Sequence, residues 1–216
     1  SVDENGIKTL KTRKKEYAAR TVIVASGAHH RLLGAKGEEE FSGMGVSYCA
    51  TCDGAFYKEQ TVAVIGGGNV AVEDAIFLAR ICRKVYVVHR RDQLRAEEIL
   101  QKKLSQFSNV EMCWNQVCEK IEGQDQVEKV CLRNTKTGEE REIAVDGVFI
   151  AVGIHPNSEA FQGVLDMDES GYIRAGEDGC PNIPGIFAAG DVRTKKLRQI
   201  VTAVSDGANA VSSVQE

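Results

Sequence analysis

The feature that most constrains the fold is a glycine-rich turn placed between two short apolar runs. The turn, Gly66-Gly67-Gly68-Asn69-Val70-Ala71, follows the apolar run Thr61–Ile65. It opens Val70–Cys82, where apolar residues recur at helical spacing, and Lys84–Val88 is the next apolar run. Strand, glycine turn, helix and strand within about 30 residues form the βαβ unit of a Rossmann-like nucleotide-binding domain. The chain is therefore expected to be an α/β protein.

Several residues of this turn have an expected part in binding the pyrophosphate of a dinucleotide. Gly66 permits the tight turn, Gly68 lets the phosphates approach the backbone, and Ala71 lets helix and strand pack closely. The N-terminus of the helix, which Asn69 directly precedes, favours the negative charge of the phosphates. The alternative is a glycine turn that binds nothing, but the strand before it and the helix after it favour a ligand.

A basic cluster at the end of the second strand predicts which nucleotide binds. An NAD site usually has an acid here, about 20 residues beyond the turn, for the ribose 2′-hydroxyl. This chain has His89-Arg90-Arg91 instead, with Arg95 shortly after. Guanidinium groups suit a 2′-phosphate, which an acid would repel. A solvated basic patch is the alternative, although cations are mildly unfavourable at a helix start. The cluster favours NADPH over NADH.

A pair of cysteines, Cys49-Ala50-Thr51-Cys52, stands in a predicted loop ahead of the first strand. Two intervening residues allow the sulfurs to form a small disulfide ring, or one thiolate to attack while the other resolves. Zinc would need four ligands, and no second CxxC or well-placed histidine pair accompanies this one, so no metal is expected. Asp53 is either a carrier of the proton that thiol chemistry requires or a solvated loop acid.

Composition excludes several other classes of protein. A net charge of −4 argues against a general nucleic-acid binder. No apolar run approaches the roughly 20 residues of a membrane span, and the first residues lack a signal-peptide pattern. Seven irregularly spaced cysteines do not predict a disulfide framework. The five outside the CxxC pair fit reduced, buried thiols of a cytoplasmic protein: Cys82, Cys113, Cys118, Cys131 and Cys180.

The remaining elements are predicted from apolar runs and helical spacing. Predicted strands cover Arg20–Ser26, Val110–Gly123, Gln126–Asn134, Val145–Val152 and a run from Pro184 that ends at Gly190-Asp191. Predicted helices cover Arg95–Gln106 and Ile200–Val214, and Thr137-Gly138 is a predicted hairpin turn.

Three motifs together resemble the bacterial low-molecular-weight thioredoxin reductases: Cys49–Gly54, Gly66–Ala71 and the His89-Arg90-Arg91…Arg95 cluster. The resemblance covers nearly the whole chain. It implies that Cys49 and Cys52 are the redox-active pair, that Asp53 is the proton donor, and that thioredoxin is the disulfide substrate. It is left open which cysteine contacts the flavin and which one reacts with thioredoxin.

The resemblance also implies FAD, the usual carrier between a hydride donor and a disulfide. Gly185–Val192 resembles the FAD motif near the C-terminus of this family, which includes Gly190 and in which the Asp, here Asp191, holds the ribityl chain. Arg198 and Gln199 resemble the segment against the isoalloxazine ring. Taken alone, Gly190-Asp191 is equally an ordinary strand-to-helix turn with an Asp near an N-cap.

One departure from the family concerns the first FAD segment. Its members begin with their own strand, GxGxxG turn and helix for the FAD pyrophosphate, and no such motif precedes Cys49. About 100 residues, roughly a small domain, are expected to be absent. Residues 34–153 are expected to form an NADPH-binding domain inserted between residues 1–33 and 154–216, an incomplete Rossmann-like FAD domain. Weak FAD binding and poor turnover are expected of this chain alone.

Other functions remain open from the sequence. A nucleotide-binding module or redox-sensor fragment would bind NADPH without turnover. The reductase subunit of an alkyl hydroperoxidase shares these motifs but prefers NADH, which the Arg90-Arg91 pair opposes. A ferredoxin-dependent relative has lost the nucleotide motifs that this chain retains. The leading expectation is NADPH-dependent, FAD-mediated reduction of a protein disulfide. Whether the chain forms a homodimer is left open. Family members pair mainly through their FAD domains, and the FAD domain of this chain is expected to be incomplete.

Overall fold

The computed structural model describes residues 1–215, which divide into two compact units. One unit combines residues 1–29 with the chain after residue 153, and the other spans residues 30–153. The sequence places its boundaries after residues 33 and 153. Assigning FAD to one unit and NADPH to the other remains a proposal.

Strands and α-helices follow one another along residues 1–215 in this order: β1 (Lys8–Lys11), β2 (Glu16–Ala19), β3 (Val22–Val24), β4 (Ala28–His30), β5 (Val46–Ser47), α1 (Ala50–Asp53), β6 (Thr61–Ile65), α2 (Asn69–Ala79), β7 (Lys84–His89), α3 (Glu98–Leu104), β8 (Val110–Trp114), β9 (Gln116–Gly123), β10 (Val127–Asn134), β11 (Glu140–Ala144), β12 (Gly147–Ile150), β13 (Ile154–Pro156), β14 (Ile186–Ala188) and α4 (Ile200–Gln215).

A parallel sheet of five strands, in the order β5-β12-β6-β7-β8, forms the centre of residues 30–153. The predicted βαβ unit is confirmed as β6, α2 and β7, with Ile65 opposite Val88 in the register. Because all five strands are parallel, their carboxyl ends meet at one edge. Three residues lie at this edge: Ser47 ends β5, Gly66 follows β6 and His89 ends β7.

Both faces of this sheet are covered, and β6 shows how. Val62 and Val64 pack in one apolar cluster with Leu78 of α2, while Ala63 and Ile65 pack in the cluster on the opposite face. A parallel strand that is buried on both faces is apolar at successive positions rather than at alternate ones. This explains why the sequence signal for β6 is a continuous run.

The apolar cluster that contains Ala63 and Ile65 also includes side chains from an antiparallel sheet of β11, β10 and β9. The predicted continuous strand Val110–Gly123 is wrong at Asn115, which has a φ of 56° and divides it into β8 and β9. Asn tolerates this left-handed conformation better than most residues, and the chain leaves the parallel sheet there. The hairpin turn at Thr137-Gly138 is confirmed between β10 and β11.

The helix predicted from Arg95 begins three residues later, at Glu98. The Arg95 N–H donates to the Gly67 carbonyl at 2.7 Å, and the Glu97 N–H donates to Asn69 Oδ1 at 2.9 Å. These two bonds hold the segment before α3 against the glycine turn, so that it does not become helical. The helix predicted to reach Cys82 ends at Ala79.

The other unit is built around the parallel pair β3 and β14, in which Ile23 lies opposite Phe187. Both strands are shorter than predicted. The predicted helix is confirmed as α4, which exposes several apolar side chains, and Ile200 is 86% exposed. None of the helices in residues 1–215 is both long and apolar enough to cross a membrane.

Burial divides the cysteines outside the CxxC pair into two groups. Burial raises the pKa of the Cys82 and Cys113 thiols to about 11 and that of Cys118 to about 12, so these thiols stay protonated. Cys131 is half-buried and Cys180 is exposed. The expectation that all five are buried is therefore wrong for these two.

Candidate functional site

The two cysteines of the CxxC motif are joined by a disulfide, with Cα atoms 5.3 Å apart. The predicted loop conformation is wrong, because Ala50–Asp53 forms one helical turn. The Cys49 carbonyl accepts the N–H groups of Cys52 and Asp53 at 3.2 and 3.1 Å. Residues three apart share a helix face, so this turn brings the two sulfurs together. Cys49 is half-buried and Cys52 is exposed.

Asp53 is held by a residue that sequence reasoning missed. Ser47, the last residue of β5, donates from Oγ to Asp53 Oδ2 at 2.6 Å and accepts the Cys49 N–H at 3.1 Å. The sequence signal was a small polar residue between an apolar strand and the first cysteine. Asp53 is half-buried, so it is not the fully solvated loop acid of the alternative reading.

The glycine turn is tightly packed, and one of its close contacts was not predicted from the sequence. A Cβ on Gly66 would lie 2.4 Å from the Ala151 carbonyl oxygen and 2.7 Å from Ala71 Cβ, and the φ of Gly66 is +155°. A Cβ on Gly67 would lie 2.3 Å from the His89 ring, a contact that the motif did not reveal. A Cβ on Gly68 would meet nothing within 4 Å, which leaves the approach to the start of α2 open.

The start of α2 fits an anionic ligand. Gly68 is its N-cap and supplies no side-chain capping bond, so the first-turn N–H groups remain for a ligand. The Asn69 side chain exchanges two hydrogen bonds with Glu97, at 3.0 and 2.9 Å. Asn69 therefore braces the turn against the segment before α3.

His89 lies beneath the turn rather than among the exposed arginines. The residue is only 5% exposed, and its Nε2 is buried without a hydrogen-bond partner in residues 1–215. Burial, with the nearby arginines Arg90, Arg91 and Arg95 acting in the same direction, lowers the pKa of His89, so the ring is neutral at pH 7. Its ring supports Gly67 from below.

Arg90, Arg91 and Arg95 are all exposed. No carboxylate of the described chain lies within ion-pair distance of their guanidinium groups. The nearby acid Asp92 is paired instead with Lys136 at 2.7 Å. The three cations are therefore available for a phosphate.

The Gly190-Asp191 turn lies in the other unit and rests on a buried ionic network. Asp206 accepts the Gly190 N–H at 2.8 Å, Arg193 at 2.6 Å and Lys195 at 2.8 Å. Burial opposes ionisation of Asp206, but these three donors outweigh it and lower its pKa to about 2. Gly190 has a φ of +76°, which favours glycine.

Two polar atoms around this turn are buried without a partner in the part of the chain that the structure describes: Asp191 Oδ1 and Arg198 Nε. Arg198 also lies 4.0 Å over the Tyr172 ring. The Gln199 N–H donates to Thr202 Oγ1, and its side chain is half-buried. Buried polar atoms normally have partners, so Asp191 and Arg198 fit a polar ligand such as the ribityl and ring portions of a flavin.

Comparison with known proteins identifies the family. Residues 1–207 match the pyridine nucleotide-disulphide oxidoreductases. The chain is 50% identical over 216 residues to a thioredoxin reductase of Listeria innocua, covering 100% of this chain and 68% of that protein. It is 47% identical over 215 residues to one of Bacillus subtilis, covering 99% and 68%. The crystal structure of thioredoxin reductase from Streptococcus pyogenes superimposes with a TM-score of 0.92 at 47% identity, over 97% of this chain and 69% of that one.

These relatives share the α/β, Rossmann-like architecture described above. They span more residues than this chain, which corresponds to about two thirds of their length. The chain belongs to the pyridine nucleotide-disulphide oxidoreductases, and within them to the low-molecular-weight thioredoxin reductase family of FAD- and NADPH-dependent oxidoreductases.

Proposed function

We propose that residues 30–153 bind NADPH and carry the dithiol that reduces a protein disulfide, with thioredoxin as the substrate. The observation that carries this proposal is topological. The dithiol follows β5 and the glycine turn follows β6, so both leave the same carboxyl edge of one parallel sheet. The relatives named thioredoxin reductase support thioredoxin as the substrate.

In this proposal the nucleotide lies along that edge. Gly66, Gly68, Asn69 and Ala71 shape the turn and the start of α2, where first-turn N–H groups take the pyrophosphate. The cluster that recognises the 2′-phosphate comprises Arg90, Arg91 and Arg95, with His89 holding the turn from beneath.

The dithiol transfers two electrons by thiol–disulfide exchange. One thiolate of the reduced pair attacks a substrate sulfur and breaks the substrate S–S bond, forming a mixed disulfide. The other thiolate attacks its partner cysteine, restores Cys49–Cys52 and releases the reduced substrate. Asp53 supplies a proton to a departing thiolate. The chemistry that a bound FAD would supply is two-electron transfer between an NADPH hydride and the Cys49–Cys52 disulfide.

The FAD contacts assigned to this chain are Gly190, Asp191, Arg198 and Gln199. The two buried atoms without partners, Asp191 Oδ1 and Arg198 Nε, support this assignment. Residues 1–33 and 154–216 would then belong to the FAD domain, and residues 34–153 to the NADPH domain.

Two further assignments belong to the same proposal. Buried, protonated thiols at Cys82, Cys113 and Cys118 support a reducing compartment, the cytoplasm. Pairing of two copies rests on the family resemblance, and sedimentation of the purified chain tests it.

The test of this function has two arms. In the first, NADPH, FAD and oxidised thioredoxin are added, and NADPH consumption is compared with thioredoxin thiols formed. In the second, the Cys49–Cys52 pair is reduced chemically, freed of reductant and mixed with oxidised thioredoxin, which needs no flavin. Stoichiometric transfer that is lost in Cys49→Ser and Cys52→Ser supports the proposal. Failure of the second arm contradicts thioredoxin as the substrate, whereas NADPH binding without any transfer favours a nucleotide-binding module.

A further inference from the structure

The hydroxyl of Ser47 lies between the dithiol and the acid beside it. Ser47 is 5% exposed and ends β5, where it pairs with Phe149 of β12 in the parallel sheet. Its Oγ is 2.6 Å from Asp53 Oδ2 and 3.1 Å from the Cys49 nitrogen. One side chain anchored on the sheet thus touches both the carboxylate and the backbone of the first cysteine.

The donor and acceptor count fixes the direction of these bonds. A serine hydroxyl has one proton to donate and can accept two hydrogen bonds. The Cys49 N–H is a donor, so Ser47 accepts it and has its own proton free for another group. The Cys49 carbonyl is 3.4 Å from Oγ, whereas the Asp53 carboxylate is at 2.6 Å. The hydroxyl proton therefore goes to Asp53 Oδ2, the nearer of the two acceptors.

We propose that Ser47 is a positioning residue for the dithiol reaction, which orients the Asp53 carboxyl group for proton transfer to and from the cysteine pair. This rests on the proton-transfer role of Asp53 in the proposed function. Asp53 lies at the end of a short helical turn, and the sheet-anchored hydroxyl restricts where its carboxyl group points. Proton transfer requires hydrogen-bond reach, so losing this restraint lowers the rate.

The reaction step that exposes this role needs no flavin or nucleotide. When dithiothreitol reduces the Cys49–Cys52 disulfide, its thiolate attacks one sulfur, the S–S bond breaks and the departing thiolate takes a proton. The second dithiothreitol sulfur then attacks the mixed disulfide, which leaves oxidised dithiothreitol and the protein dithiol. In the proposal the protonated form of Asp53 delivers the proton to the departing thiolate, and water then supplies a proton to Asp53 again.

Another titratable group near Asp53 is Tyr57, in the 3₁₀ turn that follows α1. Burial, with a smaller effect of the Asp53 charge, raises the pKa of Tyr57, so this hydroxyl stays protonated between pH 5 and pH 9. A change in the pH profile over that range therefore does not arise from Tyr57.

The experiment is a double-mutant cycle on the rate of disulfide reduction by dithiothreitol, normalised to its thiolate concentration, from pH 5 to pH 9. Asp53→Asn is expected to slow reduction about 100-fold, the lower range for loss of a general acid. Ser47→Ala is expected to slow it about tenfold and to shift its pH profile towards that of Asp53→Asn, because the carboxyl group is no longer oriented. In the double variant the Ser47 change is expected to add nothing.

Three controls separate positioning from simple structural support. Ser47→Thr keeps the hydroxyl and is expected to restore the rate to within about threefold. Ser105→Ala, a matched change at an exposed hydroxyl, is expected to leave the rate unchanged. Thermal unfolding of each variant shows whether it folds.

The outcomes distinguish this proposal from the one on which it rests. If Ser47→Ala slows reduction equally in the wild-type and Asp53→Asn backgrounds, Ser47 supports only the backbone of Cys49 and the proposal is overturned. An unchanged rate and pH profile in Ser47→Ala overturns it as well. If Asp53→Asn itself has no effect, the role of Asp53 in the proposed function fails first, and that of Ser47 with it.

Discussion

The glycine turn before α2 and the Gly190-Asp191 turn both follow a parallel strand, but they are held by contacts of different kinds. The His89 ring packs beneath Gly67, and Arg95 donates to the Gly67 carbonyl at 2.7 Å. Around the second turn, Asp191 Oδ1 is buried without a partner within the described residues.

The two turns are stabilised by different kinds of contact. The first is held in shape by the His89 ring and by a backbone hydrogen bond, and it is open at Gly68, where the proposed nucleotide site lies. The second turn is held by buried charged side chains: Arg193, which is only 2% exposed, forms an ion pair with Asp206. Near this turn, Asp191 Oδ1 and Arg198 Nε have no hydrogen-bond partner within residues 1–215 and are left to bond a ligand.

The largest effect is expected where the ionic support of the second turn is removed. Asp206→Ala leaves Arg193 and Lys195 without their buried carboxylate, and it also frees the Gly190 N–H. Loss of one partner of a buried ion pair lowers the free energy of unfolding by about 3–5 kcal/mol. Chemical denaturation measures this. Glu177→Ala is the matched control, because this other partner of Arg193 is 84% exposed and is expected to cost less than about 1 kcal/mol.

The pH dependence of this effect has a definite sign. Burial disfavours the charged form, but the cationic and N–H partners of Asp206 dominate and lower its folded-state pKa to about 2. The stabilisation is therefore present above the unfolded-state pKa of about 4 and is lost as pH falls towards 2. A difference between wild type and Asp206→Ala that stays constant down to pH 2 would contradict this account.

The next effect distinguishes two neighbouring glycines of the first turn. Gly67→Ala places a Cβ against the His89 ring and is expected to lower the free energy of unfolding by about 1–3 kcal/mol, as overpacking does. Gly68→Ala meets open space and is expected to leave stability nearly unchanged while weakening NADPH binding at least tenfold. Denaturation and calorimetric titration of both variants check this. Equal stability losses in the two variants would contradict the close approach of His89.

A stabilising effect is expected at Asp74, on α2. Burial, with a smaller effect of Glu73, raises the folded-state pKa of Asp74 to about 6. The folded state then binds more protons than the unfolded state, so this residue lowers stability as pH rises from about 4 to 6. Asp74→Asn is expected to add about 1–2 kcal/mol at pH 7.5, less than the full shift implies because the group is partly solvated, and nothing below pH 4. Unfolding curves at both pH values measure it; Glu73→Gln, at an exposed position, is the control.

The smallest effect is expected at the exposed arginines. Arg90→Ala and Arg91→Ala are each expected to weaken NADPH binding about tenfold, or about 1.4 kcal/mol, and to leave NADH binding unchanged. Arg80→Ala, an exposed arginine at the end of α2, is the matched control. Equal losses for the two nucleotides would place these side chains away from the 2′-phosphate.

Sequence reasoning located the βαβ unit because its signals are local. A continuous apolar run, a glycine turn and helical spacing each depend only on residues that are close together in the sequence. The contacts that it missed join residues distant in sequence. His89 beneath Gly67 and the bond from Arg95 to the same turn exist only once β6 and β7 lie side by side.

Two other misses have specific physical causes. The residue type of Asn115 is only a weak signal for the point where the chain changes sheets, since Asn tolerates a left-handed conformation but also occurs within strands. The helical turn at Cys49–Cys52 is too short for periodicity to reveal. The spacing of Ser47 and Asp53 gives no sign of their contact, which the fold of the chain brings to 2.6 Å.

The dissociation constants for NADPH and NADH, measured by titration calorimetry on the 216-residue chain without added flavin, show directly whether the first turn and the exposed arginines bind a nucleotide. The account predicts that NADPH binds, at least ten times more tightly than NADH, because the first turn is completed by contacts within residues 30–153. No NADPH binding, or equal affinity for the two nucleotides, would contradict it.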